Sequence, residues 1–232
     1  MRHKIISSIM AVCLLFSMYY LAKTAAEYTM SRQGQAGERK AVVVIDAGHG
    51  GEDPGKVGIN GALEKDINLS VAFLVKQYLE MQDVTVVMTR NDDEGLYRQE
   101  SPNKKIEDLK NRIALIDAAG AELVVSIHQN SYTSEKVHGA QVFYYESSEE
   151  GERAAELLQE QLRKGVDETN KRSAKKNGSY YLLKKSSVPT VIVECGFLSN
   201  GDEADKLTDR EYQEKLAWNI CTGVLQYLND VL

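Results

Sequence analysis

Short runs dominated by aliphatic, β-branched residues constrain this chain more than any other feature. Ala41–Ile45, Leu123–Ile127 and Thr190–Val193 lack the apolar–polar alternation of a half-exposed strand and are too short for a helix. They read as strands buried on both faces, as in a parallel sheet. Val84–Met88 and Ala140–Tyr145 read as two further strands. Between the runs the period changes to that of a helix. Ile67, Val71, Leu74 and Tyr78 mark one over Asp66–Met81. Ile106, Leu109, Ile113 and Ile116 mark another over Lys104–Ala119, stopped by Gly120. Ala154, Leu157, Leu158, Leu162 and Val166 mark a third from Glu149 to about Asn170, and Glu211–Leu228 closes the chain with a fourth. Strands alternating with helices predict a single α/β domain, a mostly parallel twisted sheet with helices on both faces.

An N-terminal hydrophobic helix is expected ahead of this domain. Met1–Lys4 is basic, Ile5–Ala22 is almost wholly apolar, and small residues follow at Ala25-Ala26. That is the layout of an export signal, and the run is just long enough to span a bilayer. Cleavage after Ala26 and retention as a membrane anchor both stay open; either way the basic start keeps the domain outside the cytoplasmic membrane. The expected organisation is therefore 1–26 signal peptide or anchor, 27–40 polar tether and 41–232 catalytic domain. The domain's length, roughly 190–200 residues, supports one sizeable core. A net charge of −6 offers no basic stripe, which argues against a nucleic-acid partner. Of the three cysteines, Cys13 lies in the apolar run, and Cys195 and Cys221 read as buried small hydrophobes.

Four residues could carry chemistry: His49, Glu64, His128 and Glu194. His49 follows the first strand, His128 directly follows the run ending at Ile127, and Glu194 directly follows the run ending at Val193. In an open parallel sheet the C-terminal strand ends share one edge, where sites form. Glu64 comes from the Gly-rich loop before the first helix, which begins at the same edge. Two imidazoles and one carboxylate make a hydrolytic zinc site with a fourth position left for water. A second, unligated carboxylate can then move the proton. Blander readings exist: His49 as a loop histidine capping backbone groups, Glu194 as a helix-capping or ion-paired carboxylate. His138, before Gly139, reads as a turn residue. Asp46 either accepts a proton from a ligand imidazole or simply turns the loop. Arg90 and Arg112 either face a substrate carboxylate or pair with acidic neighbours, and Asn130 either contacts substrate or holds the loop after His128.

These residues also carry a resemblance. Asp46-Ala-Gly-His-Gly-Gly51, Glu64-Lys65, Ser126-Ile-His-Gln-Asn130 and Glu194-Cys-Gly-Phe-Leu-Ser-Asn200 resemble the zinc-dependent N-acetylmuramoyl-L-alanine amidases of the amidase-3 type, from about Val42 to about Leu228. The resemblance implies that His49, Glu64 and His128 hold one Zn2+ and that Glu194 is the catalytic carboxylate. It implies a peptidoglycan substrate, cut at the amide between N-acetylmuramic acid and L-alanine. Gly139-Ala-Gln-Val-Phe-Tyr-Tyr145, with the single domain and N-terminal segment, is most similar to a sporulation-type subgroup that prepares spore cortex in the intermembrane space of a forespore. Segments 91–104 and 146–180 look too short for the inserted helix that plugs the zinc site of some members, so an open site controlled by expression or a regulatory partner protein is expected. Two rivals remain: a zinc peptidase acting on the stem peptide, and a non-catalytic wall-binding module of the same fold.

Overall fold

The computed structural model describes residues 10, 13–24 and 40–231. The chain divides into two units, 1–39 and 40–232. Residues 13–24 of the first are helical and exposed. Among the described residues no helix is long and apolar enough to cross a membrane. The rest of the expected leader, and the expected tether over 27–39, lie outside the described residues.

The second unit runs β1 (Val42–Ala47), α1 (Glu64–Glu80), β2 (Thr85–Met88), α2 (Lys104–Ala119), β3 (Leu123–Asn130), β4 (Gln141–Tyr145), α3 (Glu149–Gly165), β5 (Lys175–Asn177), α4 (Tyr181–Lys185), β6 (Thr190–Phe197), α5 (Gly201–Thr208) and α6 (Arg210–Val231). The strands form one sheet in the order β2-β1-β3-β6-β4-β5. Pairings β1/β2, β1/β3, β3/β6 and β4/β5 are parallel; β4/β6 is antiparallel. The expected α/β domain with a mostly parallel sheet is therefore the observed one. Gly120 ends α2 with φ 60°, the left-handed stop that the sequence predicts.

Residue parity divides the core. Val43, Ile45, Leu123, Val125, Ile127, Val191 and Val193 pack with α1, α3 and α6 in the main core. Val44 and Val124 face the other way, against Ile116 of α2 and Leu182 of α4. Each fully buried aliphatic side chain contributes about 1.5–3 kcal/mol. Towards the C-terminal strand ends this second face turns polar, with Asp46, Ser126, His128 and Glu194 at the positions of matching parity. Register makes Asp46 the partner of Ser126, and His128 the partner of Glu194.

Three elements, β5, α4 and α5, are too short to show a period in the sequence. Two strands run further than their apolar runs. β3 continues to Asn130 and β6 to Phe197, so His128 and Glu194 lie within paired strands rather than just after them. The backbone ladder continues where the side chains change from apolar to polar, and a register shift falls between His128 and Asn130. Helix α3 ends at Gly165, ahead of the expected Asn170. Cys195 and Cys221 are buried free thiols, and burial pushes Cys195 up to about 12, so it stays protonated and inert.

Candidate metal centre

The loop after β1 turns back sharply. His49, Gly50 and Gly51 all have positive φ, at 63°, 131° and 59°. For His49 this conformation is strained, and the surroundings must hold it. They do so with arginine. Arg112 Nη2 donates to His49 O at 2.6 Å and Nη1 to Ala47 O at 2.8 Å. Arg90 Nε donates to Ala47 O at 2.9 Å and Nη2 to Gly48 O at 3.2 Å. Gly48 has a separate reason: a Cβ there would lie 2.3 Å from the His128 ring, so only glycine lets the imidazole pack on the loop. The two imidazoles meet edge to face, with centroids 5.0 Å apart.

This folding brings His49, Glu64 and His128 together, with one ligand atom of each within 4.8 Å of the others. Glu64, the first residue of α1, places Oε1 3.2 Å from His49 Nε2 and 3.0 Å from His128 Nδ1. Ligand atoms on a tetrahedral zinc are roughly 3.3–3.4 Å apart, given bonds of about 2.0–2.1 Å. The two nitrogen–oxygen separations are close to that spacing, and the donor set of two imidazoles and a carboxylate suits that ion. Asp53 Oδ2 lies 2.9 Å from His49 Nδ1, which leaves Nε2 facing the group. An outer carboxylate of this kind fixes the tautomer and orientation of a metal-binding imidazole.

The charges agree with a cation site. Burial alone would raise the Glu64 carboxyl, but hydrogen bonds from His128 and His49 outweigh it and hold it well below the usual range. Burial alone would lower His49, but hydrogen bonds to Asp53 and Glu64 raise it to about 9. Glu194 behaves differently. It is 8% exposed, and its Oε2 is buried with no hydrogen-bond partner among the described residues. Burial pushes its carboxyl up to about 7, helped by Glu64 and opposed by His128, His49 and Lys56. A buried, unpaired carboxylate beside the trio, titrating near neutrality, suits a group that takes up and releases a proton.

The structure decides between two pairs of alternatives. Arg90 and Arg112 are 3% and 2% exposed, and their guanidinium groups are occupied by loop carbonyls and acidic neighbours, so neither is available to a substrate carboxylate. Arg112 pairs with Asp46 at 2.7 Å and with Asp108, one turn earlier on α2, at 2.6 Å. Asp46 does not serve a ligand imidazole; it accepts from Thr89, Arg112 and Ser126. Asp53 serves His49 instead, a role missed in the sequence because the loop's glycines hid a pair four residues apart. Arg112→Leu should therefore cost about 3–5 kcal/mol by stranding Asp46 and Asp108. Denaturant unfolding of the metal-free chain measures this. Unchanged stability with a raised KM would restore Arg112 to substrate binding.

Asn130 is half-buried; its Oδ1 accepts from Ser131 N and its carbonyl from Leu198 N, so it shapes the turn beyond His128. Residues 91–103 form no helix, and α3 packs against β4 and α6. His138 is outside the trio; its carbonyl accepts from Arg172. A cavity lined by His49, Asp53, Pro54, Tyr97, Lys104 and Lys105 borders the trio on the β1 side.

Comparison with known proteins agrees with this geometry. Residues 43–226 match the model of the family described as N-acetylmuramoyl-L-alanine amidase. The chain is 41% identical over 192 residues to the germination-specific N-acetylmuramoyl-L-alanine amidase of Bacillus subtilis, covering 82% of this chain and 80% of that protein. Among solved structures, the CwlD amidase from Clostridioides difficile, in complex with the GerS lipoprotein, is 40% identical with a TM-score of 0.80, covering 82% of this chain and 100% of that one. The amidase AmiC2 of Nostoc punctiforme is 35% identical with a TM-score of 0.72, covering 83% of this chain and 99% of that one.

Proposed function

We propose that this chain, which belongs to the N-acetylmuramoyl-L-alanine amidase family, cuts its bond with one zinc ion on His49, Glu64 and His128 and with Glu194 as proton carrier. The activity itself is hydrolysis of peptidoglycan at the amide between N-acetylmuramic acid and L-alanine. The observation that carries the assignment of roles is the contrast between the two carboxylates. Glu64 is hydrogen-bonded on both oxygens and held ionised between two imidazoles. Glu194 is buried beside them with Oε2 unpartnered.

Zinc, when bound, lowers the pKa of a water towards ~7 and polarises the scissile carbonyl. The chain's own residues do the rest. The trio fixes where the carbonyl must sit. Glu194, on the neighbouring strand, takes a proton from the attacking water and passes it to the nitrogen of the departing L-alanine. Asp53 keeps the His49 ring turned and its Nε2 free. Asn130 holds the turn beyond His128 through Ser131 N and Leu198 N.

Cell wall lies outside the cytoplasmic membrane, and the enzyme works there. The tether over 27–40 and the leader over 1–26, as signal or anchor, fit that placement. Spore cortex maturation, in the space between forespore membranes, is the setting indicated by the resemblance to a germination-specific relative. A regulatory partner protein belongs to the same reading, since the C. difficile relative is solved with a lipoprotein.

Digestion of purified peptidoglycan with the zinc-loaded chain, followed by mass spectrometry, tests the bond. The expected product is an intact stem peptide with a free N-terminal L-alanine. Release of a C-terminal amino acid instead would make the chain a stem-peptide carboxypeptidase. Proton release tests the trio. His49, raised to about 9, is protonated at neutral pH in the metal-free chain, and a zinc-bound imidazole must be neutral. Binding at neutral pH should release about one proton from this ring, and affinity should fall as pH falls below about 9. Calorimetry in buffers of different ionisation enthalpy measures it. A binding heat independent of buffer would contradict the assignment.

A further inference from the structure

Every segment that carries a member of the trio also reaches one buried pair of amides. Asn68 lies one turn after Glu64 on α1, Gln129 follows His128 on β3, and the carbonyl of Gly48 precedes His49. Asn68 Nδ2 donates to Gly48 O at 3.0 Å and to Glu64 Oε1 at 3.4 Å. Gln129 Nε2 donates to Asn68 Oδ1 at 3.1 Å, and Gln129 N donates to Glu64 Oε1 at 3.1 Å. Asn68 is 0% and Gln129 2% exposed.

The chemistry of the partners sets the sense of this chain of donors. A carbonyl can only accept, so Gly48 O requires the amino group of Asn68. The Asn68 oxygen then faces Gln129 and requires its amino group in turn. One consequence is a cost. Gln129 Oε1 is buried with no hydrogen-bond partner among the described residues. An unsatisfied buried amide oxygen costs about 1–3 kcal/mol. A methionine of similar volume would fill the space without that cost, so packing does not account for an amide at position 129. Donation from its Nε2 does. On Glu64, Lys56 N donates to Oε2 at 2.7 Å, while Gln129 N and Asn68 Nδ2 reach Oε1. The direction left open on Oε1 is the one that faces the imidazoles.

We infer that Asn68 and Gln129 are positioning residues for the metal, a two-amide strut that ties the three ligand-bearing segments together and holds the Glu64 carboxylate in its ligating orientation. The inference rests on the zinc reading above. Outer partners of this kind typically contribute 10–100-fold in metal affinity. Here the strut acts on all three ligands at once, because its ends are Gly48 O, Glu64 Oε1 and the β3 backbone beside His128.

Zinc affinity of the full chain, measured by competition with a chromophoric chelator, tests it in wild type, Asn68→Ala, Gln129→Met and the double variant. Thermal unfolding of each metal-free chain runs alongside. Asn68→Ala should bind zinc about 10–100-fold more weakly and Gln129→Met about tenfold more weakly. Because Gln129's side chain acts through Asn68, the double variant should be no weaker than Asn68→Ala alone. Affinities within about twofold of wild type in both single variants would overturn the strut, and so would losses that multiply in the double variant. A merely structural pair would lower the metal-free melting temperature and leave the affinity of the folded chain unchanged. If Asn68→Ala does not fold, Gln129→Met decides alone. Failure of wild type to bind zinc would instead overturn the reading of the trio.

Discussion

Glu194→Gln is expected to bind zinc as wild type does and to turn over muropeptides about 10²–10⁴-fold more slowly. The substitution keeps size and buried contacts but removes the proton acceptor. Glu194 stands outside the trio of close ligand atoms, so the amide leaves the ion's donors untouched. Nothing else described beside the trio can replace it: Asp46 is fully engaged by Arg112, Ser126 and Thr89. Asp53 lies on the far side of His49, bound to its Nδ1. The loss should fall on kcat, because the proton moves only during bond cleavage. Zinc stoichiometry by metal analysis and kcat on a defined muropeptide separate the outcomes. A variant that cleaves at the wild-type rate, or one that loses zinc, would show that Glu194 has the other carboxylate's role or none.

His49→Ala should remove the metal itself. Two donors then remain, and Glu64 loses one of the two imidazoles that hold it ionised. At zinc about a hundredfold above its dissociation constant, wild type should gain about 2.7 kcal/mol of stability from the ion. The variant should gain almost none. Its activity should fall by about 10³-fold or more, since Lewis-acid stabilisation is worth several kcal/mol and each 1.36 kcal/mol is a tenfold rate change. Unfolding with and without zinc reads the first effect, and muropeptide release the second. The metal-free chain should still fold, because His49 lies outside the hydrophobic core and its backbone turn at φ 63° stays held by Arg112. A variant that keeps the zinc-dependent gain would place the ion elsewhere.

How far the fold was legible follows from side-chain chemistry. β1, β3 and β6 were visible because their buried stretches are continuous aliphatic runs, and α1, α2, α3 and α6 because their apolar residues repeat at helical spacing. The strand ends were not visible at His128 and Glu194, since a backbone ladder does not need apolar side chains to continue. That same polarity switch marks the site. Parallel strands deliver their C-terminal ends to one edge, so His49, His128 and Glu194 could be placed together from order alone. The arginines stayed open between two roles because sequence shows their charge but not that Asp46 and the loop carbonyls already use it. Asp53, Asn68 and Gln129 lay hidden for a related reason: a ring, a backbone carbonyl and a facing amide become their partners only once the chain folds.

An X-ray structure of the zinc-loaded chain, with an anomalous difference map at the zinc edge, tests the central claim most directly. The account predicts one peak touching His49 Nε2, Glu64 Oε1 and His128 Nδ1, with Glu194 close by but not bound to it. A peak coordinated by Glu194 in place of Glu64, or no peak between the two imidazoles, would contradict it.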